Sequence, residues 1–176
     1  MKKSIRFATT LCIISLVGMM APITADADIL SALGGSDNDN KCWQYKASER
    51  GFARKMNSER VLGGLNKLQL DPELSRAARK HTQEMWKADS LHHTPSDKLR
   101  SRVTNWTVIG ENVGVGGTVS SLHDAFMNSP AHKDNILYTT FRHVGIGVAE
   151  KNGRMWVTVI FEAIADPGTP LRMPTC

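Results

Sequence analysis

Cysteine is scarce in this chain: 176 residues contain only three, too few for a small disulfide-stapled scaffold. Aromatic residues make up 6%, and no Lys/Arg cluster is interleaved with them, which argues against a nucleic-acid surface. No apolar run is long enough to persist as a transmembrane span. The longest, Phe7 to Ala21, has 15 residues where a spanning helix needs roughly 20. Familiar enzyme signatures are also missing: there is no Walker loop, no His-Glu-x-x-His helix and no Gly-x-Ser-x-Gly elbow. The run Gly114-Val115-Gly116-Gly117 is not a dinucleotide fingerprint, because Val119 stands where the third glycine belongs. What is present, 41% hydrophobic and 22% charged residues, describes a soluble globular chain with enough length for one well-cored domain.

The N-terminus reads as an export signal, with Lys2, Lys3 and Arg6 ahead of the apolar run and Ala25-Asp26-Ala27 as a small-x-small cleavage site. Residues 1–27 are therefore expected to be removed, leaving 19 basic and 16 acidic residues and a net charge of +3. Residues 28–42, centred on Gly34-Gly35-Ser36-Asp37-Asn38-Asp39-Asn40, read as a flexible linker. The domain is expected over 43–165, and 166–176 form a proline-containing tail. Cleavage takes Cys12 away, so Cys42 and Cys176 are the two cysteines left in an oxidising compartment. A bond between them would tie the two ends together; free thiols or an intermolecular bond are the competing readings.

Within the domain, Tyr45, Glu49, Phe52, Met56 and Arg60 recur at helical spacing, and Gly63-Gly64 supplies a stop. Asp71-Pro72 is an N-cap followed by proline in the first turn. Leu74, Ala77, Ala78, His81 and Met85 then share one face, which makes His81 a core histidine bonded to backbone rather than a ligand. A third helix is expected over 119–127, with His123 on its flank in a structural or exposed role. Strand signals come late. Val144, Ile146 and Val148 alternate with glycine, Asn152-Gly153 is a two-residue hairpin turn, and 155–162 is apolar on both faces. A further strand is expected over 107–115. A doubly covered antiparallel hairpin among helices predicts an α+β fold, a three-layer α-β-α sandwich with a small, mostly antiparallel sheet.

Three polar stretches carry the rest of the information: Leu91-His92-His93-Thr94-Pro95, Gly110-Glu111-Asn112-Val113, and the run from Asn128 to Leu137 that contains Ser129-Pro130-Ala131-His132. With Asn57-x-x-Arg60, the Gly64 to Pro72 stretch and the closing Val144 to Val148 strand, they resemble, in this order and spacing, the bacterial branch of the CAP superfamily. That superfamily includes cysteine-rich secretory, antigen 5 and plant pathogenesis-related proteins. The resemblance covers roughly Tyr45 to Ala163 and implies an α-β-α sandwich.

It also implies a central cleft with two histidines and two acids that in several members bind a divalent metal. By motif position His93 (the histidine that precedes Thr-Pro, rather than His92), Glu111 and His132 match three of the four. At the fourth this chain departs from the pattern: Phe126 stands at a Trp position and Ser129 at the second acid. Two imidazoles and one carboxylate form a reasonable zinc set with an open coordination position; the structural alternative is that these groups bond to one another and hold the loops. Asn112 and Asn135 are expected to fix loops through backbone bonds. The leading functional expectation is an exported, envelope-associated or secreted binding module whose cleft takes a metal and a small or lipid-like ligand, without a membrane span or nucleic acid. A metal-dependent hydrolase with Glu111 as base, and a scaffold or host-facing protein acting through surface loops, are the alternatives. A Ser129–His132 nucleophile pair lacks an identifiable orienting acid.

Overall fold

The computed structural model describes residues 3–7 and 43–164. The expected linker, the tail, the apolar stretch of the export signal, and Cys42 and Cys176 with their expected bond all lie outside the described residues. Five strands form one sheet in the order β1-β3-β5-β4-β2: β1 (Ser4–Phe7), β2 (Gln69–Leu70), β3 (Trp106–Gly116), β4 (His143–Lys151) and β5 (Arg154–Ile164). The central three are antiparallel, while the short edge strands β1 and β2 run parallel to β3 and β4. The helices are α1 (Ala47–Leu62), α2 (Pro72–Ala88), α3 (Ser96–Arg102), α4 (Val119–Asn128) and α5 (Pro130–Ile136). Among the described residues no helix is long and apolar enough to cross a membrane.

Period-2 alternation sorts the strands onto two cores. Val144, Ile146 and Val148 of β4, with Val157, Val159 and Phe161 of β5, face Phe52 and Met56 of α1, Leu122 and Phe126 of α4 and Ile136 of α5. On the other face, Ile109 and Ile160 pack against Leu74, Ala77 and Ala78 of α2 and Leu99 of α3, while Val113, Val115 and Trp156 meet Met85. This is the expected α-β-α sandwich.

The glycines of β4 have a steric reason. A Cβ at Gly145 would stand 2.1 Å from the carbonyl carbon of Leu74, and one at Gly147 2.4 Å from that of Ala78. The backbone of α2 therefore lies directly on β4. There Thr82 Oγ1 bonds to the Gly147 carbonyl at 3.0 Å and to Thr158 Oγ1 at 2.9 Å. The turn between β4 and β5 places Asn152 and Gly153 at φ of 52° and 72°, both left-handed, as the hairpin reading required.

Local signals also hold at the helix ends. Asp71 accepts from the Leu74 N–H at 3.0 Å with Pro72 opening the helix, and α1 stops at Gly63. His81 is a core histidine, with Nε2 at 2.7 Å from the His92 carbonyl. Arg60 is fully buried, and its guanidinium donates to the carbonyls of Asn66, Ile136, Tyr138 and Phe141. It thereby pins the segment after α5 to the end of α1. Elements absent from the sequence reading are β1, β2, α3 and α5. β1 joins the end of the positively charged stretch, with Arg6, to Phe7 at the start of the apolar run.

Candidate functional site

Strand β3 organises the site because its two faces serve different histidines. Glu111 lies opposite Ile160 and shares the α2 face, whereas its neighbour Asn112 lies opposite Val159 and shares the face of α4 and α5.

On the first face, the Glu111 carboxylate is fully buried and receives three donors. Oε1 accepts from His93 Nδ1 at 2.8 Å and from the Thr94 N–H at 2.9 Å, and Oε2 accepts from the Thr94 hydroxyl at 2.5 Å. Because a carboxylate only accepts, His93 carries its proton on Nδ1, and any ligation by this ring must use Nε2. Thr94 was not singled out by sequence reasoning. Its place beside His93 in the His-Thr motif was the signal available.

On the second face, His132 sits in α5, stacked on Phe126 with ring centroids 4.9 Å apart and planes 22° from parallel. Its Nδ1 is 2.7 Å from Ser129 Oγ, one helical turn earlier. The position that the resemblance gives to a second acid is thus occupied by a hydroxyl that contacts the same histidine. Nε2 of His132 is buried and has no hydrogen-bond partner. Burial, followed by the nearby charge of His93, lowers the His132 pKa to about 4, so the ring is neutral at physiological pH. The Val113 backbone acts in the other direction, raising it in part.

A short amide network joins the faces. Asn112 Nδ2 donates to the His132 carbonyl at 3.0 Å, and Asn135 Nδ2 donates to Asn112 Oδ1 at 2.9 Å and to the Glu111 carbonyl at 3.3 Å. Both asparagines fix backbone, as expected. Gly110 lets Phe141 pack directly against the strand beside them, since a Cβ there would meet its ring at 2.8 Å.

Among the described residues, no three His, Cys, Asp or Glu side chains form a group able to hold a metal ion. The geometry of Glu111 supplies a reason: its oxygens are committed to His93 and Thr94. What the structure brings together is a positioned His93–Glu111 pair and a neutral His132 close enough to feel the charge of His93.

Comparison with known proteins agrees with this architecture. The cysteine-rich secretory protein (CAP) family profile matches residues 53–161. A relative from Bacillus subtilis strain 168, the uncharacterized protein YkwD, is 34% identical over 117 residues, 62% of this chain. The chain spans 45% of that relative's length. An outer surface protein from Borrelia burgdorferi superimposes with a TM-score of 0.63 at 17% identity, over 69% of this chain and 96% of its own. NaASP2, whose structure was solved with Zn2+, superimposes with a TM-score of 0.54 at 10% identity, over 77% of this chain and 91% of its own. The chain belongs to the CAP family and is of bacterial type.

Proposed function

We propose that this protein is exported and acts outside the cytoplasm as a binding module, with the cleft at His93, Glu111 and His132 as its receiving site. The observation that carries the reading is the buried Nε2 of His132, a nitrogen removed from water and without a well-formed hydrogen bond. Such an atom is costly unless something fills the role, on the order of 1–3 kcal/mol. The basic stretch, apolar run and small-x-small site at the N-terminus support export, as does the likeness to an outer surface protein of Borrelia burgdorferi.

A divalent metal, zinc above all, would be held as a two-histidine site rather than a three-ligand one. His132 and His93 would hold the ion through Nε2. Glu111 would serve behind His93, orienting its ring and raising its basicity, as carboxylates behind metal-bound histidines do. That NaASP2 was solved with Zn2+ supports zinc as the ion. A bound metal would supply a Lewis-acidic centre with open positions for a small or lipid-like ligand. The chain's own part is to hold His93 by Glu111 and Thr94, to keep His132 neutral by burial, and to set the rings by Phe126 and Ser129. The hydrolytic alternative asks Glu111 to take a proton from water, but three donors already occupy its oxygens.

Titration calorimetry with zinc chloride at pH 7 tests the reading. Saturable binding is expected, weakened at least tenfold by His93→Gln and by His132→Gln. Equal affinity in the variants would overturn this choice of ligands. Intact mass of protein recovered from outside the cell tests export, with a new N-terminus near Asp28 as the expected result.

A further inference from the structure

We infer that the outer edge of β3 is a seat for the chain's own C-terminal segment, with Leu171-Arg172-Met173 replacing Ile5-Arg6-Phe7 once the N-terminal stretch has been removed. The inference rests on the export reading above.

The edge is built to be covered. β1 pairs in parallel with β3, Ser4 opposite Val108 through Phe7 opposite Glu111. Ile5 and Phe7 pack against the cluster of Leu74, Trp106, Ile109 and Ile160. Arg6 points to the other face and lies over the Tyr138 ring at 3.9 Å. Cleavage after Ala27 would take this strand away, baring a row of backbone donors and acceptors and the apolar surface beneath. An exposed sheet edge of that kind templates pairing with another strand.

The C-terminal segment leaves the sheet at the right place and in the right direction. Ile164, the last residue of β5, pairs with Trp106, the first of β3. The chain therefore continues from the end of the sheet where β3 begins, one strand away from the vacated edge. A turn at Asp166-Pro167-Gly168 that crosses the start of β3 sends the following residues along it in parallel, the direction β1 takes. From Ile164 to a point opposite Ile109 is two strand spacings sideways and three residues along, roughly 14 Å. Seven residues of chain reach about 23 Å, enough to include a turn.

The sequence then repeats the pattern that the edge accepts. Ile5-Arg6-Phe7 and Leu171-Arg172-Met173 are both apolar-Arg-apolar. In the same register Leu171 and Met173 cover the apolar cluster and Arg172 reaches the Tyr138 ring. Pro170 and Pro174 flank the triplet, which suits the two ends of a short edge strand. Phe7 lies against His93 with ring centroids 5.0 Å apart, so Met173 in its place would border the candidate site.

Hydrogen exchange at residues 108–111 tests the proposal in two backgrounds. One is the exported chain, its N-terminus fixed by intact mass, which by itself reports on export. The other is the full-length chain carrying Ile5→Asp and Phe7→Asp, where β1 is dislodged whether or not export occurs. In both, the amides are expected to stay protected, and Leu171→Asp with Met173→Asp should speed their exchange at least tenfold. The same tail substitutions in the otherwise unaltered full-length chain should leave these amides unchanged. Exchange indifferent to the tail in both backgrounds overturns the proposal. Protection that disappears on dilution also overturns it, by assigning the edge to a second copy.

Discussion

Ser129 Oγ and His132 Nδ1 lie 2.7 Å apart across one turn, and this bond holds a ring whose other nitrogen is buried without a partner. The pair fixes the orientation of an imidazole that burial keeps neutral.

Stability should fall with acid for this reason. The His132 pKa is lowered from 6.5 to about 4, so the unfolded chain takes up the proton first. The contribution of the neutral ring is complete above about pH 6.5 and is lost as pH falls toward 4. Its size is on the order of 2–3 kcal/mol. Urea unfolding at pH 7.5 and 4.5 measures the loss. His132→Gln should flatten that pH dependence, and a variant with an unchanged slope would show that another group titrates.

Glu162 works in the opposite sense. Burial first, then the charges of Asp71 and Glu73, raise its pKa from 4.5 to about 8. Stability tied to the protonated carboxyl is present below the unfolded value and declines as pH rises through about 8. Glu162→Gln, which stays neutral, is expected to be more stable than the parent at pH 9 and close to it at pH 5. Thermal unfolding at the two pH values checks the crossover.

The fold was legible because its signals are local. Asp71-Pro72, Asn152-Gly153 and the Val-Gly alternation of β4 each state a backbone geometry within a few residues, and each appears as read. Seven-residue helices α3 and α5 span about two turns, too few for periodicity to separate them from polar loop, and α5 was seen only as a motif. Motif position picked out His93, Glu111 and His132, and the sequence offered their bonding to one another and the Ser129–His132 pair as alternatives, but it did not place Thr94 on the carboxylate. The bond from His93 to Glu111 spans 18 residues and depends on how the chain after α2 meets the register of β3. The commitment of Thr94 to Glu111, and with it the carboxylate's place behind His93, is likewise tertiary.

Substitutions at Glu111 should separate its charge from its shape. Gln can keep one oxygen for His93 and the Thr94 N–H, while the Thr94 hydroxyl rotates to accept from the new amide. Leu leaves three donors without an acceptor. Glu111→Gln is expected to cost about 1 kcal/mol and Glu111→Leu about 3 kcal/mol or more, since each stranded buried donor costs roughly 1–3 kcal/mol. Denaturant midpoints of the two variants give the comparison. Equal losses would mean that the carboxylate is not the hub of these bonds.

The contact between α2 and β4 offers a sharper steric test. At Gly147 a Cβ would stand 2.4 Å from both the carbonyl carbon of Ala78 and the nitrogen of Arg79. These are backbone atoms of a helix, so no side-chain rotation relieves the clash. The helix has to lift, which also stretches the bond from Thr82 Oγ1 to the Gly147 carbonyl. Overpacking of this kind costs about 1–3 kcal/mol in ordinary cores and more where backbone must move. At Gly117 an added Cβ meets nothing within 4 Å. Gly147→Ala is therefore expected to lower stability by about 3 kcal/mol or more, whereas Gly117→Ala should change it by less than about 1 kcal/mol. Melting temperatures of the two single-methyl variants decide the matter, and near-equal values would mean that α2 does not lie on β4 at this distance.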